Sequence, residues 1–297
     1  MSIWHRIFDF SDYSALLPLV QNSLIAGIVL GVLCGLISTF VMMRDLPFAV
    51  HGISELSFAG ASAALLGGVS VVLGSIGGSL IAAAIIGVLG IRARERNSVI
   101  GVLMPFGLGL GVLFLSLYNG RSGNKFGLLL GQVVAVDTVH LGYIIWTAAI
   151  VIVALAVLWR PLTFASTDPE AAAARGVPVR LLSPVFMLLL GVTVAVSIPV
   201  VGALLILSIV CTPAAAAMRI TASPAVVPLL SVVFATISTT GGILLSLGAD
   251  GLPPTPYITT ISFAIYAICR TAGAVRARRG WARRRDVAVT APVPDLG

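Results

Sequence analysis

Apolar residues run through this chain in long unbroken blocks, and polar residues collect between them. The stretch Leu16–Met43 carries no charge and is long enough to cross a hydrocarbon core of about 30 Å as a helix. Further apolar blocks follow near 48–67, 70–91, 98–118, 140–159, 181–197, 199–218, 225–247 and 257–275. In lipid every backbone N–H and C=O must be paired within the segment, so such blocks are helices. The period-2 alternation of a membrane barrel is absent. The pattern predicts an all-α, polytopic transmembrane bundle of about nine helices. Residues 1–15 read as an extracytoplasmic or interfacial segment, 16–275 as the membrane domain, and 276–297 as a basic, disordered tail. No cleaved leader pattern precedes the first span, which is therefore read as mature structure.

Composition agrees. Hydrophobic residues make up 58% of the 297 and charged residues 10%, with a mean hydropathy of +1.09. A soluble surface needs about 25% charged residues. Threading nine spans places 15 of the 18 basic residues on one side, from Arg44 through Arg96, Arg160, Arg175 and Arg219 to the tail at Arg276–Arg285. Only Arg6, Arg121 and Lys125 fall opposite. That asymmetry makes the basic side cytoplasmic. The net charge of +7 is then positive-inside bias and attraction to anionic lipid, and gives no reason to expect nucleic acid. Cys34, Cys211 and Cys269 lie singly in apolar spans and read as small buried hydrophobes.

Against so apolar a background, polar residues inside spans carry the functional signal, because each is costly there. His51 and Glu55 stand four apart, on one face of a helix, with Ser54 beside them. Imidazole nitrogen and carboxylate oxygen together suit zinc, manganese or iron(II). Two ligands from one helix are few; doubled across a dimer axis they become four, which fits a site that must also release its ion. The other reading is a structural His–Glu pair that pins this helix to a neighbour.

A second feature is the polar connector Leu162–Leu182. Thr167 or Asp168 can cap a helix that opens with Pro169, Glu170 places an anion in its first turn, and Gly176 ends it. It reads as a docking element, or else as a plain solvated connector. The stretches 198–202 (with Pro199 and Gly202) and 211–218 (with Cys211 and Pro213), within apolar blocks, are expected to bend or break helices and free carbonyls toward a cavity. Asp137 and His140, three apart at the outer edge of a span, read as a solvated helix start. A phosphate loop Gly-x-x-x-x-Gly-Lys-[Ser/Thr] is missing, so the chain is not expected to be an enzyme that hydrolyses ATP by that route.

Taken together these residues resemble the membrane subunits of ABC importers for zinc, manganese and iron. The run His51-Gly52-Ile53-Ser54-Glu55-Leu56-Ser57-Phe58-Ala59-Gly60 is similar to a family segment with Asp and His at those spacings; here His51 stands at the family's Asp and Glu55 at its His. Leu128-Leu129-Leu130-Gly131-Gln132 resembles a family stretch in which an acid is usual at the position of Gln132. Asp168, Pro169, Glu170, Ala171, Ala174, Arg175 and Gly176 match the segment that forms the family's coupling helix against the ATPase. Val200-Val201-Gly202 and Thr212-Pro213-Ala214-Ala215 match a further signature. The resemblance runs from about residue 20 to 275. It implies a homodimer in a bacterial cytoplasmic membrane with the ion path between protomers, and two ATP-binding subunits on the cytoplasmic face. It also implies an extracytoplasmic metal-binding lipoprotein, and a zinc or manganese ion as cargo, with no permanently bound cofactor. His51 and Glu55 would be transit ligands. Three alternatives stay open: a gradient-driven secondary transporter with Glu55 as proton carrier, an ABC importer of a siderophore or vitamin, and a membrane enzyme or assembly factor built on His51.

Overall fold

The computed structural model describes residues 20–89, 93–120, 127–128, 136–248 and 253–290, with backbone alone at 93–95, 204 and 277–290. The expected N-terminal interfacial segment lies outside these residues, as does Gln132. Among the described residues eleven α-helices of stated extent follow in order: α1 Gln21–Met43, α2 Pro47–Leu66, α3 Val71–Leu89, α4 Ala93–Leu117, α5 Thr138–Thr167, α6 Pro169–Ala174, α7 Val179–Val201, α8 Ile206–Val210, α9 Thr212–Ile220, α10 Val226–Ser246 and α11 Thr255–Thr290. There is no strand among the described residues. Eight of the helices are long and apolar enough to cross a membrane, and Ile206–Ile220 forms a shorter apolar piece. The fold is thus the expected polytopic bundle, its seventh span split in two.

α2 lies at the centre, packed on α3 and α4 and touching α7; α1 packs on α10 and α5, and α11 closes against α9 and α10. Large apolar side chains remain exposed around the outside, including Val102, Phe106, Trp146, Val153, Val157 and Phe263, as a surface solvated by acyl chains requires. Lipid gives helices no hydrophobic reason to associate, so contact rests on close packing and cross-helix hydrogen bonds. Gly78 of α3 shows the first: a Cβ there would sit 2.2 Å from the carbonyl oxygen of Leu56 on α2. A relay of serines shows the second. The Ser57 and Ser75 hydroxyls are 2.8 Å apart, and Ser75 Oγ donates to the Ala195 carbonyl of α7 at 3.1 Å.

Both expected interruptions are present, at Gly202 and at Cys211. Pro199 does not end its helix: α7 continues to Val201 with Pro199 inside it. Proline lacks the N–H that would bond the carbonyl four residues back, and that carbonyl is the one on Ala195 that Ser75 satisfies. The break falls instead at Gly202, whose φ of 90° and ψ of 147° belong to a region nearly closed to other residues. Thr255 Oγ1 donates to the carbonyl of Val201 at the end of α7 (3.2 Å). The second interruption, at Cys211, does involve a proline. Pro213 has no N–H, and the Ala214 N–H donates to Ser38 Oγ of α1 (3.1 Å). Ser38 Oγ in turn donates to the Cys211 carbonyl (3.4 Å).

α11 runs on to Thr290, into the basic stretch that begins at residue 276. Arginine and alanine, which fill this stretch, are good helix formers, and an existing helix is extended at low cost.

Candidate functional site

α2 opens with Pro47 at its first turn, where a missing N–H costs nothing. Before it, Asp45 adopts a left-handed conformation with φ 56°, which lets the chain reverse between α1 and α2 in three residues. With 1.5 Å of rise per residue, His51 stands about 6 Å and Glu55 about 12 Å along α2 from Pro47. The pair therefore lies within the membrane span, nearer its basic end.

His51 Nε2 and Glu55 Oε1 are 3.7 Å apart, close enough for charge interaction but beyond a hydrogen bond. The Glu55 side chain is 4% exposed and that of His51 30%, so the carboxylate lies inside while the imidazole is partly exposed. His51 Nδ1 is buried and makes no hydrogen bond. Ser54 turns back to donate to the His51 carbonyl at 2.8 Å, which keeps its hydroxyl off the pair. Behind Glu55 stands α4 in close contact: a Cβ on Gly107 would be 2.9 Å from the Glu55 carbonyl carbon. Two donors about 2.1 Å from one ion at a tetrahedral angle lie about 3.4 Å apart, so little movement brings this pair to a common ion. Among the described residues no third His, Cys, Asp or Glu joins them.

The connector of the sequence reading folds as α6. Asp168 is its N-cap, accepting the Ala171 N–H at 2.9 Å, with Pro169 at the first position and Glu170 in the first turn. Thr167 instead closes α5, donating to the Thr163 carbonyl at 2.9 Å. At the far end the Gly176 and Val177 N–H groups bond the carbonyls of Ala173 and Ala172, both at 3.0 Å, with Gly176 at φ 82°. This is a Schellman stop. Ala172 is fully buried under the helix, while Asp168, Pro169, Glu170, Ala174 and Arg175 are exposed. Arg175 lies over the Phe164 ring at 5.6 Å. A rigid, capped, outward-facing element results on the basic side of the molecule.

Asp137 and His140 are the start of α5: the carboxylate accepts the His140 N–H at 2.8 Å and meets its Nδ1 at 2.6 Å. These backbone and ring donors hold the Asp137 carboxyl below the usual range. At the other face, burial and then the charge of Arg96 lower the pKa of Arg44, whose guanidinium lies over the Phe186 ring at 5.5 Å. All three cysteines are free and buried. The sequence reading did not single out Ser38, Ser57 or Ser75. Their one signal was a hydroxyl inside an apolar block, which says that a partner exists but not which carbonyl it is.

Comparison with known proteins follows the same lines. The chain is similar to the manganese transport system membrane protein MntC of Halalkalibacterium halodurans, at 29% identity over 78% of this chain and 80% of that one. It is 28% identical to the manganese import system permease protein ScaB of Streptococcus gordonii over 67% of this chain and 71% of that one. In shape it matches a chain of PsaBC from Streptococcus pneumoniae in complex with Fab, with a TM-score of 0.77 at 23% identity, covering 88% of this chain and 95% of the other; the two share a fold. The sequence profile of the ABC 3 transport family matches residues 17–272, so the chain belongs to that family.

Proposed function

We propose that this chain is the permease subunit of an ATP-driven importer of divalent metal ions, with manganese the first cargo to test and zinc the second. The observation that carries the reading is a buried carboxylate beside a half-exposed imidazole, one turn apart on the central helix of a bundle with almost no other intramembrane charge. Relatives named for manganese transport and import support the metal class. In this reading His51 and Glu55 are transit ligands, and a second copy of the chain supplies the matching pair, giving four donors in all. Imidazole and carboxylate suit both manganese and zinc, and four such donors leave a six-coordinate ion such as manganese short of a full shell, so it can leave. α6 (Asp168 to Gly176) is the surface that meets a separate ATP-binding subunit. That subunit hydrolyses ATP in the cytoplasm, and a lipoprotein delivers the ion at the opposite face of the bacterial inner membrane.

Metal accumulation in cells expressing the intact system tests this, with wild type compared to His51→Ala, Glu55→Ala and the double variant at matched membrane abundance. Loss of manganese uptake in each single variant, with co-purification of the ATPase retained, is the expected result. Uptake that persists in the double variant would show a structural staple and a transit site elsewhere. Uptake that survives removal of the ATPase but fails when the proton gradient collapses would favour the secondary-transporter reading.

A further inference from the structure

Between α1 and α5, on the outer surface, lies a groove of about 400 Å³ lined by Leu36, Ile152, Leu155, Ala156, Trp159 and Arg160. Its floor is apolar, with Leu155 buried and Leu36 and Ile152 half-buried. It runs from Ile152 to Arg160, about 12 Å of helix rise, close to the hydrocarbon depth of one leaflet in a core of about 30 Å. Trp159 stands at its end, held edge-on against Phe40 with ring centroids 4.8 Å apart. Tryptophan favours the headgroup level. Arg160 is exposed at the mouth, and neither ion pair among the described residues involves it.

A greasy slot one leaflet deep, ending in a fixed aromatic and a bare guanidinium, has the charge and shape of one kind of occupant. We propose that it is a binding site for an anionic phospholipid of the leaflet on the basic side. One acyl chain lies along Leu36, Ile152 and Leu155, and the headgroup phosphate is held by Arg160. Guanidinium binds phosphate oxygens through paired N–H donors, and the excess negative charge of that leaflet raises the local supply of ligand. The inference does not depend on which cargo the protein carries.

Native mass spectrometry of the full chain in detergent, titrated with phosphatidylglycerol and phosphatidylcholine of identical acyl chains, tests the assignment. Wild type is expected to retain phosphatidylglycerol several-fold more than phosphatidylcholine. Arg160→Gln should bring the two to the same level, Arg160→Lys should keep most of the preference, and Ala156→Phe, which fills the groove from an exposed position, should lower both. Val153→Phe, exposed on the same helix outside the groove, is the control and should change neither. Equal retention of the two lipids by wild type would overturn the proposal, as would a preference untouched by Arg160→Gln. So would an Ala156→Phe variant that loses self-association while its lipid retention is unchanged, since the groove would then face a second copy of the chain. Should Ala156→Phe fail to fold, the Gln and Lys variants at Arg160 still decide the matter.

Discussion

Replacing Ser75 by alanine removes one hydroxyl and leaves the Ala195 carbonyl, already without an intrahelical donor because residue 199 is proline, with no partner inside the bundle. The geometry is specific: Ser75 Oγ donates to that oxygen at 3.1 Å, both groups are buried, and the same hydroxyl also lies 2.8 Å from Ser57 Oγ. Ser57 keeps a partner in the variant, since its hydroxyl can still donate to the residue 75 backbone carbonyl, 2.9 Å away in the wild type. Orphaning a buried carbonyl costs about 1–3 kcal/mol. Cross-helix hydrogen bonds in membranes average about 0.6 and reach about 1.7 kcal/mol. Together these place the cost of Ser75→Ala near 1–1.5 kcal/mol, a shift of about five- to thirteenfold in the unfolding equilibrium. The decisive comparison is the same change in a Pro199→Ala background. Alanine restores the N–H four residues beyond Ala195, so the hydroxyl becomes redundant and its removal should cost only a few tenths of a kcal/mol. Reversible unfolding in mixed micelles of the four proteins in this cycle gives a coupling energy of about 1 kcal/mol if the argument holds. Costs that add to within about 0.3–0.5 kcal/mol, the usual spread for independent sites, would refute it. Ser75 would then stabilise the bundle by some route other than replacing the proline's missing donor.

Two further outcomes are expected. Gly78→Ala puts a methyl 2.2 Å from the Leu56 carbonyl oxygen, whereas the adjacent Gly77 has nothing within 4 Å of its would-be Cβ. The first variant should lower the unfolding free energy by about 1–3 kcal/mol through overpacking, while Gly77→Ala is neutral or slightly stabilising; equal effects would contradict the packing described. For Asp137, a folded-state pKa below the unfolded one means that its contribution is fully present above the unfolded value, near 3.9, and is lost as pH falls through the lower folded value. The largest cause is the His140 backbone N–H, so His140→Ala should leave the carboxyl still depressed when its carbon is titrated by NMR. A return to the ordinary value would assign the shift to the imidazole instead.

What the sequence made legible follows from the range of the forces involved. Span positions are written in composition because lipid admits only helices with internally paired backbones. The i, i+4 placement of His51 and Glu55 is a property of one helix, and so is the capping of α6 by Asp168 and Gly176; both were readable for that reason. The stretch in which α7 ends was readable as well, but the residue at which it ends was not. Pro199 looks like a breaker until a serine 124 residues earlier in the chain is placed beside its orphaned carbonyl, and nothing local to Pro199 announces that. The same is true of Ser38, which reaches across to Cys211 and Ala214, and of the groove, which exists only once α1 and α5 are side by side. In the tail two local signals point opposite ways, since a run of like charge suggests repulsion while the propensity of Arg and Ala favours continuing the helix that precedes it.

The divided seventh span also governs how a mechanical load would travel. An unbroken helix acts as a strut, carrying a push at one end to the other. Here the strut, Ile206–Ile220, is set off from α7 at Gly202 and cut at Cys211, and Ser38 Oγ bridges the cut. What replaces axial stiffness is lateral anchorage: Ser262 of α11 grips the Ser208 carbonyl of α8 at 2.9 Å, and Gly273 of α11 lies so near α9 that a Cβ there would be 2.3 Å from the Arg219 carbonyl oxygen. A push on α9 at the basic face would therefore meet α11 and α10 at its sides, and would reach α2 through α8, which touches both α1 and α2.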